Sequence, residues 1–126
     1  MNPFNIEPLT FENARASLEK DIDGLCLVLS GDIDMRDTSL GFLPYLLKIH
    51  DVLIQNNIKE LKVNLSDLTF MNSNGIKSLI NWIMKLTEIP EAARYKVHIA
   101  ANTGIAWQES TIPVLQKLFP EFIIID

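Results

Sequence analysis

Apolar positions along the chain follow two rhythms, and the alternation between them predicts the elements. Residues 14–19 and 25–30 read as strands, joined through Asp21-Ile22-Asp23-Gly24, whose Asp-Gly step suits a positive φ and makes the pair a hairpin. From about 42 to 55 apolar residues recur every three to four positions, which predicts a helix with Pro44 tolerated in its first turn. Its apolar arc is wide. Leu43, Leu46, Leu47, Leu53 and Ile54 form one row, and Phe42, Tyr45, Ile49 and Val52 form a second. Two readings stay open for the second row: burial within the domain, or contact with a second subunit in a homodimer built through this helix.

Leu61 to Leu65 alternates as a short strand, and a bend through Ser66 to Phe70 leads to a second helix from about Ser73 to Leu86. Its core stripe is read as Ile76, Leu79, Ile80, Ile83 and Met84, with Lys77, Ser78, Asn81 and Lys85 opposite and Trp82 on their side. Residues 95–100 predict a strand, 110–118 a short helix with Pro113 in its first turn, and 122–125 a final apolar strand. Phe4 to Leu9 is a candidate edge strand. Strands separated by helical crossovers pair in parallel, so the order ββαβαβαβ predicts an α/β fold. It is a small mixed, mostly parallel sheet with an N-terminal hairpin and helices packed against it, spanning 1–126 as a single domain.

Composition narrows the chemistry. A chain of 126 residues, 48% hydrophobic and 21% charged, buries roughly two-thirds of the surface its unfolded form exposes and needs no staple. Cys26 is the single cysteine, and His50 and His98 are the only histidines, so neither a disulfide, a metal centre nor a cofactor is expected. A net charge of −5 opposes binding to nucleic acid or anionic lipid. The N-terminus lacks the basic and apolar regions of a secretory signal, and no apolar run approaches the roughly 20 residues of a membrane span. A cytoplasmic protein is expected.

Ser73 stands where a strand passes through a polar turn into an amphipathic helix. A small polar residue there can cap the free N–H groups, and the same groups favour an anion. Enzymatic readings fare poorly. A Gly-x-Ser-x-Gly elbow would need glycine at Met71, and there is no P-loop or Gly-x-Gly-x-x-Gly. Asp32, Asp34 and Asp67 could mimic the acids of a receiver domain, yet that domain's phosphate-binding lysine near the last strand has no match in Phe122 to Asp126. Trp107, placed in the loop before the third helix, reads either as a binding-surface aromatic or as cover for a neighbouring element.

The stretch Asn64-Leu65-Ser66-Asp67-Leu68-Thr69-Phe70-Met71 followed by Asn72-Ser73-Asn74-Gly75 resembles the STAS domain of bacterial anti-sigma-factor antagonists. There a strand and bend lead into Asp-Ser-Ser-Gly or Asp-Ser-Thr-Gly at the second helix. Leu29-Ser30-Gly31-Asp32-Ile33-Asp34 is similar to the family's Gly-Asp-Leu-Asp element. The resemblance runs from about residue 14 to 125 and implies a non-enzymatic switch protein bound by an anti-sigma factor or related serine-kinase regulator. It implies Ser73 as the phosphorylated residue and Asp32, Asp34, Asn72, Ser73, Asn74 and Gly75 as the partner surface, to which Trp107 is added as an interface-type aromatic. Asn72 and Asn74 replace the family's Asp and Ser or Thr with amides. They keep a second reading open, a constitutive interaction or ligand-sensing module of the same fold that is never phosphorylated.

Overall fold

The computed structural model describes residues 3–11, 13–22, 24–34, 36 and 41–126. In chain order these form β1 (Leu9–Thr10), β2 (Ala14–Asp21), β3 (Gly24–Ile33), α1 (Phe42–Gln55), β4 (Glu60–Met71), α2 (Ser73–Met84), β5 (Lys96–Ala100), α3 (Ala106–Leu118) and β6 (Ile123–Ile125). The fold is α/β, as the alternation predicts. The six strands lie in the sheet in sequence order, antiparallel among the first three and parallel from β3 to β6. Each crossover from β3 onward steps the same way along the sheet. Right-handed connections therefore put α1, α2 and α3 on one face and leave the other free of helices among the described residues.

Register confirms which side chains meet the helices. Ala16, Leu29, Leu27, Val63 and Ile99 are linked by strand pairing, share one face and are buried. Arg15, Glu19 and Lys62 point the other way and are exposed. The hairpin joins β2 to β3 as expected, with Asp23 of its turn outside the described residues. The edge strand is confined to Leu9–Thr10, because Phe4 and Asn5 turn with positive φ (56° and 59°), outside strand geometry.

Helix α1 begins and ends where its periodicity places it, but its rows divide differently. Phe42 and Ile49 are fully buried and Tyr45 is 8% exposed, so three members of the row open to a second subunit lie in this domain's own core. The Phe42 ring meets Phe11 edge-on at 5.7 Å, and the Tyr45 hydroxyl reaches the Ala16 carbonyl at 3.4 Å. Leu43, Leu47, Val52 and Ile54 are half-buried.

The face of α2 is rotated from the expected stripe. Leu79 and Ile83 are buried as read, but Ile76 and Ile80 are only half-buried and Met84 is 47% exposed. Trp82 is 1% and Ser78 3% exposed, so these two residues of the expected polar side are inside, while Lys77 and Asn81 remain exposed. The cause is a buried polar cluster. Tyr95 stands just before β5, and its hydroxyl oxygen accepts the Trp82 Nε1–H at 2.8 Å and lies 2.8 Å from His50 Nδ1. With its oxygen accepting from Trp82, the hydroxyl hydrogen is free to donate to Nδ1 of a neutral His50 in the Nε2–H tautomer. The cluster ties α1, α2 and the approach to β5 together and satisfies the Trp82 N–H that burial would otherwise penalise.

Other boundaries also shift. β4 continues through the predicted bend to Met71, and α3 starts at Ala106, which moves Pro113 out of the first turn into the helix interior. α2 ends at Met84, where a 3₁₀ turn over Lys85–Glu88 replaces its expected last residues.

Two measurements test this packing. Leu79→Ala should lower the unfolding free energy by about 2–5 kcal/mol in chemical denaturation, while Lys77→Ala stays within about 0.5 kcal/mol. Equal effects would misplace the buried face of α2. Burial, the largest influence on His50, holds its pKa below the ordinary value. The unfolded chain then binds the proton more readily, so stability should be full above about pH 6.5 and fall as the pH drops below it. Urea midpoints from pH 8 to 5 should show that fall in the wild type and a shallower one in His50→Gln. Identical slopes would remove His50 from the account.

Candidate partner-binding site

β4 is 12 residues long, but β5 pairs only with Glu60 to Asn64. From Leu65 onward β4 has β3 on one edge and no strand on the other, and its carbonyls there need other partners. Side chains supply them. Gln108, 2% exposed, donates from Nε2 to the Leu65 carbonyl at 2.7 Å and to the Leu68 carbonyl at 3.0 Å. Its Oε1 accepts the Asn102 N–H at 2.7 Å, which fixes the orientation of the amide. Trp107 Nε1 donates to Leu68 at 2.9 Å, and Asn102 Nδ2 to Ser66 at 3.0 Å. The loop after β5 and the first turn of α3 thus stand in for a missing strand.

On its paired edge β4 carries irregularities that re-aim it. The register against β3 shifts between Val28 and Ser30 and again between Gly31 and Asp32. Gly31 has φ +86°, and a Cβ there would lie 2.1 Å from the Asn13 carbonyl oxygen, so only glycine fits. That same oxygen accepts the Asp32 N–H at 2.8 Å. The Thr69 hydroxyl lies 3.1 Å from the Gly31 carbonyl and also hydrogen-bonds the Asp32 carboxylate. Asp32 therefore belongs to the end of β3, held against β4.

The strand then turns into α2. The Asn72 N–H bonds the Ile33 carbonyl at 2.9 Å, and its Oδ1 accepts the Gly75 N–H at 3.0 Å as the helix cap. Capping falls to Asn72, one residue before Ser73, which occupies the first helical position and is exposed. Asn72 Nδ2 reaches Asp34 Oδ1 at 3.4 Å, and Asn74 Nδ2 donates to the Arg36 carbonyl. The two amides thus tie the segment after β3 to the helix N-terminus. A carboxylate at 72 would face Asp34 with like charge, whereas the amide donates to it. Gly75 is buried, and a Cβ there would come 2.7 Å from Met71 Cγ and 3.1 Å from Ile33 Cγ2. Glycine lets α2 sit directly on the ends of β3 and β4.

Asp32, Asp34, Asn72, Ser73 and Asn74 are thus gathered at the end of the sheet where β3 and β4 finish. Gly75 lies beneath them. Trp107 is in the first turn of α3 rather than a loop, half-buried, with its indole N–H spent on Leu68. Both histidines lie elsewhere: His50 is in the Tyr95 cluster, and His98 is on the helix-free face, 3.1 Å from Glu60 and 3.4 Å from Asp126. Cys26 is buried, and burial pushes its thiol pKa up. No group of three or more His, Cys, Asp or Glu placed to hold a metal ion occurs among the described residues. No helix among them is long and apolar enough to cross a membrane. Gln108 escaped the sequence reading, since nothing in Glu109, Ser110 or its other neighbours marks that glutamine for burial.

No family model and no curated protein matches the chain. Among solved structures, an anti-sigma factor antagonist from Mycobacterium paratuberculosis superposes with a TM-score of 0.60 at 18% identity, covering 90% of this chain and 89% of that one. The chain has a STAS-type fold.

Replacing Gln108 with Leu should lower stability by about 1–3 kcal/mol, the cost of orphaning a buried carbonyl, and speed amide exchange over residues 70–75. A loss below about 0.5 kcal/mol with unchanged exchange would show that β4 does not depend on this side chain.

Proposed function

We propose that this chain is a regulatory switch protein of the cytoplasm that docks an anti-sigma factor or a related serine-kinase regulator through the N-terminus of α2. Phosphorylation of Ser73 controls that docking. The observation that carries the reading is the exposed Ser73 at the first position of α2, directly after Asn72, whose Nδ2 reaches Asp34. The shared fold with an anti-sigma factor antagonist supports it. The role is binding rather than catalysis, with the serine hydroxyl as acceptor of a phosphoryl group delivered by the partner.

The physical consequence of modification is local. A phosphate adds about −1.5 to −2 charges at neutral pH. At a helix N-terminus that charge meets free N–H groups and the positive end of the dipole, so the helix accepts it. The partner meets it differently. Asp32 and Asp34 already make the surface acidic, and further negative charge changes the complementarity of the face without refolding the domain.

The second reading is a constitutive module of the same fold, and the engagement of both flanking amides favours it. Asn72 and Asn74 already bind Asp34 and the Arg36 carbonyl, so the site is ordered without modification.

Capture of the partner from the source cell with intact-mass analysis of the bait, followed by titration calorimetry of two variants, separates the readings. Under the switch, Ser73→Asp loses at least about tenfold in affinity, roughly 1.4 kcal/mol, while Ser73→Ala binds as the wild type does. Equal affinities for both variants, with a bait mass lacking phosphate, would reject the switch in favour of the constitutive module.

A further inference from the structure

β4 presents Leu61, Val63, Leu65, Leu68 and Met71 to the interior, all nearly or fully buried, but Phe70 is 42% exposed. The position is not a frayed end. Phe70 pairs with Asp32 across the ladder, and the Thr69 side chain before it is bound to Gly31 and Asp32 of β3. A large ring is thus held on a fixed strand, three residues from Ser73, at the edge of the sheet.

Its direction follows from register. Paired residues of neighbouring strands point to the same face, and Ile33 and Leu27 face the helices. Asp32 and its partner Phe70 therefore face the opposite, helix-free side. In the next row on that side Ser30 pairs with Asp67, which is exposed, and Arg15 stands beyond Ser30 on β2. The row below holds Val28, Asn64 and Ala100, each half-buried. An exposed aromatic therefore caps a partly apolar face, flanked by two aspartates against one arginine on a chain of net charge −5.

We propose that Phe70 is an anchor of the docking surface, so that the interface passes from Ser73 over the end of β4 onto the helix-free face. The occupant is a partner protein offering an apolar pocket rimmed by lysine or arginine. This rests on the reading of the α2 N-terminus as a docking site and names the chemistry its partner must carry. Aromatic side chains are enriched in interface cores, and a ring already held by its strand loses little freedom on binding. Asp32 and Asp67 select basic groups around the ring and make association sensitive to salt.

The test is site-specific photo-crosslinking in the source cell, with Phe70→benzoylphenylalanine in the full chain and the same substitution at the fully exposed Ile22 of the hairpin as control. The proposal expects an adduct from position 70 only, joined to a second protein at a segment flanked by lysine or arginine. That protein, once purified, should bind Phe70→Ala and the charge-reversed Asp67→Lys at least about tenfold more weakly, with thermal midpoints of the free variants unchanged. No adduct, an adduct with a second copy of this chain, or a crosslinked segment lacking basic residues overturns it. Failure of the two readings is separable. If Ser73→Asp weakens the complex and neither Phe70→Ala nor Asp67→Lys does, the switch stands and the anchor falls. If Phe70→Ala and Asp67→Lys weaken it while Ser73→Asp does not, the anchor stands without the switch.

Discussion

The end of β4 outruns its neighbour, and the rest of the proposed surface depends on how its carbonyls are satisfied. A strand flanked on both edges would be straight and fully paired. Here β5 stops opposite Asn64, and Gln108, Trp107 and Asn102 take the carbonyls of Leu65, Ser66 and Leu68. The strand is free to shift register twice against β3, yet it is held from both sides. A buried amide with all of its contacts made rigidifies a segment, and losing half of them would be worse than never having them.

That arrangement delivers the chain to α2 in a fixed place. Gly31 admits the close approach of Asn13, Gly75 admits Met71 and Ile33, and Asn72 closes the turn by capping the helix and reaching Asp34. Ser73 is left outward because its neighbour is the cap. Phosphate chemistry at such a position requires no movement of the core, since the change is in charge presented on a rigid frame. The same rigidity holds Phe70 outward on the other side of the strand.

Much of the fold was legible because hydrophobic period and crossover rules are strong constraints. α1 was bounded correctly by its 3.6-residue rhythm, and the parallel sheet followed from strands alternating with helices. Where the reading failed, tertiary partners overrode local pattern. Trp82 and Ser78 looked like members of a polar face, but Tyr95, distant in sequence, supplies the polar contact that lets the indole be buried. Ile80 and Met84 looked like core, but Ile80 only packs half-buried against it and Met84 is exposed. β4 looked short because Ser66, Asp67 and Thr69 are polar, a pattern that a strand with one helix-free face permits. The candidate site was legible as a strand-to-helix transition around Ser73. Its supports were not, since a buried glutamine is an exception to composition and gives no periodic signal.

Amide hydrogen exchange of the whole chain, free and bound to the captured partner, tests the central claim directly, because it reads where the partner sits without altering any residue. Docking at the end of β3 and β4 predicts slowed exchange over residues 70–76 and at Asp32 to Asp34, with α1 and the β2–β3 hairpin tip unchanged. Slowed exchange confined to α1 or to the hairpin, with residues 70–76 exchanging as in the free chain, would contradict it.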